Sequence, residues 1–185
     1  MYKSYKATGI IIKRINYKEA DKILVVFTRE YGKIKVLAKS IRKITSRRAP
    51  QLELFNYVKL NLIHNNFLDV VSEVETQEIF PSIRSNLKKI AYTYELVELI
   101  DRLCPEREEY QKIFDLSLLT LKKLENGHCN IIKEITENFI HRLLWELGYL
   151  PRNQILKSNN LEVFVENIIE KSIKSRRLIN KIMVE

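Results

Sequence analysis

The chain has 185 residues with 45% hydrophobic side chains, enough for a real core in one full-sized domain or two small ones, which excludes a disordered tail. Its 32 Lys+Arg against 23 Asp+Glu give a formal charge of +9, and no apolar run reaches the length of a membrane span. Cys104 and Cys129 form no CxxC pair, and Met1–Lys6 lacks the apolar core of a signal peptide, so a reduced cytoplasmic setting is expected.

The first 80 residues read as β structure. Thr8–Arg14 is a short apolar strand, and Lys22–Glu30 is apolar on both faces, as a strand covered on both sides would be. Tyr31-Gly32 marks a tight reversal into Lys33–Ile41. There Ile34, Val36 and Ala38 alternate with Lys33, Lys35 and Lys39, which puts the three lysines on one exposed face. Arg42–Leu52 is a basic loop closed by Ala49-Pro50. Leu54–Ile63 and Leu68–Glu78 form a hairpin around His64–Phe67. Five short strands with little helix between them predict a small closed barrel of the oligonucleotide-binding (OB) type, with an SH3-like barrel as the alternative.

Phe80-Pro81 ends the strand pattern. Ile83, Leu87, Ile90, Tyr94, Val97 and Ile100 then recur at helical spacing, with Ser82 placed to cap and Pro105 to stop. A second helix runs from Tyr110 to Leu124 and ends at Asn126-Gly127, a sequence suited to a left-handed cap. Asn130 can cap a third, with the stripe Ile131, Ile135, Phe139, Leu143 and Leu147, closed by Gly148. A loop from Arg152 to Asn159 precedes a helix from about Leu161 and a last basic one. The expected organisation is an α+β chain of two domains, a barrel over 1–80 and a helical domain over 81–185.

Charge is the strongest functional signal. Between Glu30 and Glu53 stand Lys33, Lys35, Lys39, Arg42, Lys43, Arg47 and Arg48, with no carboxylate among them. Such a run repels itself and is best relieved by polyphosphate, because Lys and Arg displace the counterions of nucleic acid. A solvated loop is the alternative. Lys171, Lys174, Arg176, Arg177 and Lys181 form a second basic cluster. Tyr31 and Tyr57 are candidate rings for stacking bases, with packing as the other reading. Arg84, Lys88 and Lys89 beside Ile83 and Leu87 could form a basic rim for an acidic peptide, or a solvated helix face.

Nothing in the sequence assembles a catalytic set. Cys104 has no histidine in a recognisable relation to it, His128-Cys129 lack a second ligand pair, His64 and His141 are isolated, and there is no GxxxxGK[ST] loop. A non-enzymatic protein with no metal or other cofactor is expected.

The ordered segments Thr8–Ile12, Tyr17–Ile23, Phe27–Lys33, Ala38–Lys43, Ser46–Arg48 and Gln51–Phe55, with Leu143–Pro151 and Lys174–Ile179, resemble the RecO family of bacterial recombination-repair proteins. The resemblance covers most of the chain. It implies an N-terminal OB barrel, a C-terminal helical domain, and a cytoplasmic, nucleoid-associated protein. The implied activity is binding of single- and double-stranded DNA, annealing of complementary strands, and help to RecA in displacing single-strand binding protein. Implied partners are RecR and the acidic C-terminal tail of single-strand binding protein, with the RecA filament reached indirectly and no membrane. Many members carry a four-cysteine zinc site after the Gly-Tyr-x-Pro segment; Arg152–Asn159 contains no cysteine, so the chain departs from the family there. Two other readings remain: an adaptor whose helical domain binds an acidic peptide, and an OB-type RNA binder.

Overall fold

The computed structural model describes residues 3–152 and 154–183. Two compact units emerge, one formed by Met1–Ile79 with Cys104–Phe114 and the other by Phe80–Leu103 with Asp115–Glu185.

The first unit is a closed five-stranded barrel of β1 (Ser4–Tyr17), β2 (Asp21–Thr28), β3 (Gly32–Ala38), β4 (Tyr57–Ile63) and β5 (Asp69–Glu78), joined in the order β1-β2-β3-β5-β4. All pairings are antiparallel except β3 with β5. β1 extends beyond its predicted apolar core because it serves two neighbours. Ser4–Ile10 pair with β4 and Gly9–Tyr17 with β2, and a register shift between Ile11 and Lys13 bends the strand from one to the other. Leu24, Val26, Ile34, Val36, Val58, Leu60, Leu62 and Val71 fill the interior. β3 stops at Ala38 and β4 begins only at Tyr57, shorter than the sequence suggests, because Ser40 (φ 57°) and Phe55 (φ 69°) are left-handed and cannot continue a strand.

Cys104–Phe114 belongs to the barrel's packing, whereas the sequence pattern assigns it to the helical half. Phe114 is buried against Phe27 and Tyr57, at ring separations of 5.9 and 6.1 Å. Arg107 donates its backbone N–H to the Lys33 carbonyl at 2.9 Å. Gly32 makes this approach possible. Its φ is +62°, and a Cβ there would lie 1.7 Å from the Glu108 carbonyl oxygen.

The second unit contains α1 (Pro81–Ser85), α2 (Leu87–Leu103), α3 (Gln111–Asn126, counted here from Asp115), α4 (Ile132–Glu146), α5 (Ser158–Ile169) and α6 (Lys174–Met183). The predicted first helix is two. Asn86 adopts extended backbone between them, and its Oδ1 accepts the Lys89 N–H at 3.0 Å, so Asn86 and not Ser82 caps the longer helix. Ser82 lies inside α1, where its N–H and that of Ile83 reach the Glu125 carboxylate at 2.8 and 2.9 Å. Gly127 is not left-handed, and its N–H continues the helical pattern to the Lys123 carbonyl at 2.8 Å. Ile131 takes the N-cap position of α4 without a side-chain cap, displacing the expected Asn130. Gly148 does turn left-handed after α4, with φ of 77°.

Candidate nucleic-acid interface

The segment from Lys39 to Asn56 is a fixed loop. Ile41 and Leu52 are buried in the barrel core, with Ala49 packed against it. Fully buried Asn56 donates through Nδ2 to the carbonyls of Pro50 (3.1 Å) and Gln51 (2.8 Å). Arg48 spreads its guanidinium over three carbonyls, Val71 at 2.9 Å, Ser72 at 3.3 Å and Lys39 at 3.0 Å, tying the loop to β5. These anchors leave Arg42–Thr45 and Arg47 exposed at the tip, where Ile44 projects at 104% relative exposure.

The β1–β2 turn meets this loop. The Arg42 N–H donates to the Ala20 carbonyl at 2.9 Å, its guanidinium to the Lys18 carbonyl at 3.3 Å, and the Ser40 N–H to Asp21 Oδ1 at 2.7 Å. More cations gather here. Lys22 shares the phase of Leu24 and Val26 and lies opposite Ala38, so it occupies the mouth of the barrel. Burial lowers the affinity of Lys22 for its proton, and the charges of Arg14 and Arg42 lower it further against an opposing pull from Glu53. Arg14 is ion-paired with Glu53, and its buried Nε has no hydrogen-bond partner. Three cations thus press on one another at the place where the turn and the loop join. An anion arriving there relieves that repulsion.

The residues expected to contact nucleic acid separate into two groups. Lys39, Arg42, Lys43 and Arg47 are exposed, and among the described residues no carboxylate pairs with them. The others differ from expectation. Lys33 is only 6% exposed, covered where Glu106 and Arg107 run beside β3, so the three lysines do not share an open face. Lys35 is exposed but sits 2.6 Å from Glu106. Arg48 is committed to carbonyl oxygens, and Tyr57 is half-buried on Phe114. Tyr31 keeps 40% of its surface open. Sequence reasoning missed Arg14, Lys18 and Lys22. The signal available was their position at the two ends of one hairpin, whose turn returns Lys22 to the side of Asn16.

In the helical unit, Lys89 is 6% exposed, and its ammonium donates to Ser82 Oγ (2.7 Å) and the Glu125 carbonyl (2.6 Å). It closes the end of α3 and is unavailable to a peptide; Arg84 is exposed and Lys88 half-buried. Arg176 likewise leaves the C-terminal cluster for structure, bridging buried Glu95 (2.7 Å) and Glu162 (2.6 Å). Lys171, Lys174, Arg177 and Lys181 stay exposed. His141 is a packing residue: Nδ1 donates to the Glu137 carbonyl at 2.8 Å and Nε2 accepts the Leu156 N–H at 3.1 Å. Burial pushes the Cys104 thiol up to about 12, although nearby Lys33 pulls the other way. Among the described residues no group of three or more His, Cys, Asp or Glu is placed to hold a metal ion, and no helix is long and apolar enough to cross a membrane.

Two family models of known proteins match successive parts of the chain. Residues 1–80 match the family model described as recombination protein O N terminal, and residues 84–154 match recombination protein O C terminal. The chain belongs to the RecO family. Among its relatives, the DNA repair protein RecO of Pelotomaculum thermopropionicum is 35% identical over 149 residues, 80% of this chain and 57% of its own. That of Symbiobacterium thermophilum is 35% identical over 147 residues, 80% of this chain and 58% of its own. That of Listeria monocytogenes is 32% identical over 146 residues, 79% and 56%. The chain therefore spans somewhat more than half the length of these RecO relatives.

Proposed function

We propose that this chain is a DNA-binding protein of repair and recombination, and that it holds phosphates at the barrel mouth without covalent chemistry. The observation carrying this reading is that exposed Lys39, Arg42, Lys43 and Arg47 stand on a loop anchored by Ile41, Leu52 and Arg48, with Lys22 of β2 and Arg14 of β1 close to Arg42. A fixed array of cations loses little freedom on binding, so more of its attraction is realised as affinity.

Annealing follows from the same physics. Neutralising two strands lowers their repulsion and raises their local concentration, so complementary strands pair faster. In this reading the chain binds single- and double-stranded DNA, acts beside RecR and the acidic tail of single-strand binding protein, and favours RecA on strands that the latter has coated. That its relatives are DNA repair proteins supports the repair assignment.

Salt dependence tests the reading. Replacing Lys39, Arg42, Lys43 and Arg47 by Ala should flatten the slope of log K against log salt for single strands by about 3, at roughly 0.7 per lost phosphate contact. An unchanged slope removes the loop from the DNA site. Failure of the unaltered chain to bind any oligonucleotide in dilute buffer removes the function. A strand-annealing assay with and without single-strand binding protein checks the mediator role.

A further inference from the structure

The barrel unit carries a cleft of 480 Å³ lined by Tyr5, Tyr31, Ile34, Lys35, His64 and Arg107, among others, and by none of the loop-tip cations. Its volume falls within the range of small-molecule sites, roughly 300–1,000 Å³. Tyr31 projects from the β2–β3 turn with 40% of its surface open. Tyr5 meets it edge-on, with centroids 5.1 Å apart and planes at 78°. A perpendicular contact fixes a ring without sandwiching it.

Tyr5 is itself held. Its hydroxyl donates to Asp69 Oδ2 at 2.5 Å, and His64 Nδ1 contacts Asp69 Oδ1 at 2.9 Å. Burial would raise the Asp69 pKa, but these hydrogen bonds and that from the Asn65 N–H hold the carboxyl below its usual range, so it stays charged and occupied. Glu106 is engaged by Lys35. Lys3 and Arg107 stand exposed at the rim with Glu109 as the opposing carboxylate. Arg107 is positioned by a left-handed backbone (φ 63°) and its N–H bond to Lys33.

A fixed open ring, an apolar floor at Ile34 and cations at the rim match the chemistry of one nucleotide with its base exposed. A duplex cannot use the site, because its base faces are covered by stacking. Exposed Lys35 of β3 and exposed Lys39, just past the end of that strand, lead along the chain from the cleft to the basic loop. The β4–β5 hairpin that supplies His64 also presents Phe67, 73% exposed.

We infer that this cleft takes one unstacked base of a single strand on Tyr31, with the flanking phosphates on Arg107 and Lys3. The inference rests on the reading of the chain as a DNA binder and adds to it a preference for single strands. The test uses the full chain, a thymidine oligonucleotide, an abasic oligonucleotide of equal length, and a duplex. Tyr31→Ala should weaken binding of the thymidine strand about tenfold, the lower part of the range for one stacked base, and leave duplex binding unchanged. Tyr31→Phe should bind like the unaltered chain. The unaltered chain should itself lose about tenfold when the bases are removed, a comparison that needs no variant to fold. Equal loss on single strand and duplex, or equal affinity for thymidine and abasic strands, overturns the cleft while leaving the basic loop's role standing. Loss of all oligonucleotide binding in dilute buffer overturns both readings.

Discussion

Arg48 stands in the middle of a run of cations, yet its guanidinium is spent on three carbonyl oxygens, and that sets it apart from Arg47 one residue earlier. Arg48→Ala should lower stability by about 1–2 kcal/mol, the loss of charge-assisted hydrogen bonds at a half-exposed site, while changing the salt slope of DNA binding far less than the tip residues do. Urea unfolding beside binding at several salt concentrations separates these effects. Lys33 and Lys39 illustrate what residue type leaves undecided. Both alternate with apolar neighbours in the sequence, but a segment more than 70 residues away covers the first, and the second lies exposed just past the end of β3. Lys89 and Arg176 are read as surface charges for the same reason, yet Lys89 is buried and half-buried Arg176 is held by Glu95 and Glu162 within the helical unit. The cation run was legible; which of its members face solvent was not.

Elements were legible wherever periodicity was strong. All five strands stand near their predicted places, because alternation reports which face is covered, whereas the helical stripes are less faithful: Leu87, Tyr94 and Ile131, read as parts of covered faces, stand exposed, and α2 buries Ala91, Leu96 and Leu99 instead. Ends were less legible, being set by single backbone conformations such as the left-handed Phe55 and Ser40. Caps supplied from a distance were invisible. Glu98 of α2 accepts the N–H groups of Lys174 (3.0 Å) and Ser175 (2.8 Å) and so caps α6 from 76 residues away. Burial would raise the pKa of Glu98, but these bonds, the Ser175 hydroxyl and Arg102 outweigh it and hold the carboxyl below its usual range. A carboxyl whose folded pKa is depressed stabilises above its unfolded pKa, near 4.3, and that contribution is lost as pH falls through the lower folded value. Thermal melts followed by circular dichroism should therefore show the gap between the unaltered chain and Glu98→Gln full at neutral pH and closing below about pH 4.

For the whole molecule, the chain runs through the barrel unit, into the helical unit, back to the barrel at Cys104–Phe114, and out again. A boundary near residue 80 follows from the change of period, and nothing local in the sequence marks the return. The segment gives the barrel a buried Phe114 against Phe27 and Tyr57. An isolated 1–80 fragment should lose about 3 kcal/mol from the missing phenylalanine alone and expose the apolar surface beneath it. Such a fragment is expected to lack a cooperative thermal transition, or to melt well below the full chain; a melt equal to that of the full chain would show that the barrel does not need the returning segment.

That return also governs what a single cleavage would do. Pro105–Glu109 is exposed, the kind of stretch a protease reaches. A nick there would leave two pieces that each carry part of both cores, so they should travel together through a sizing column and come apart only in denaturant.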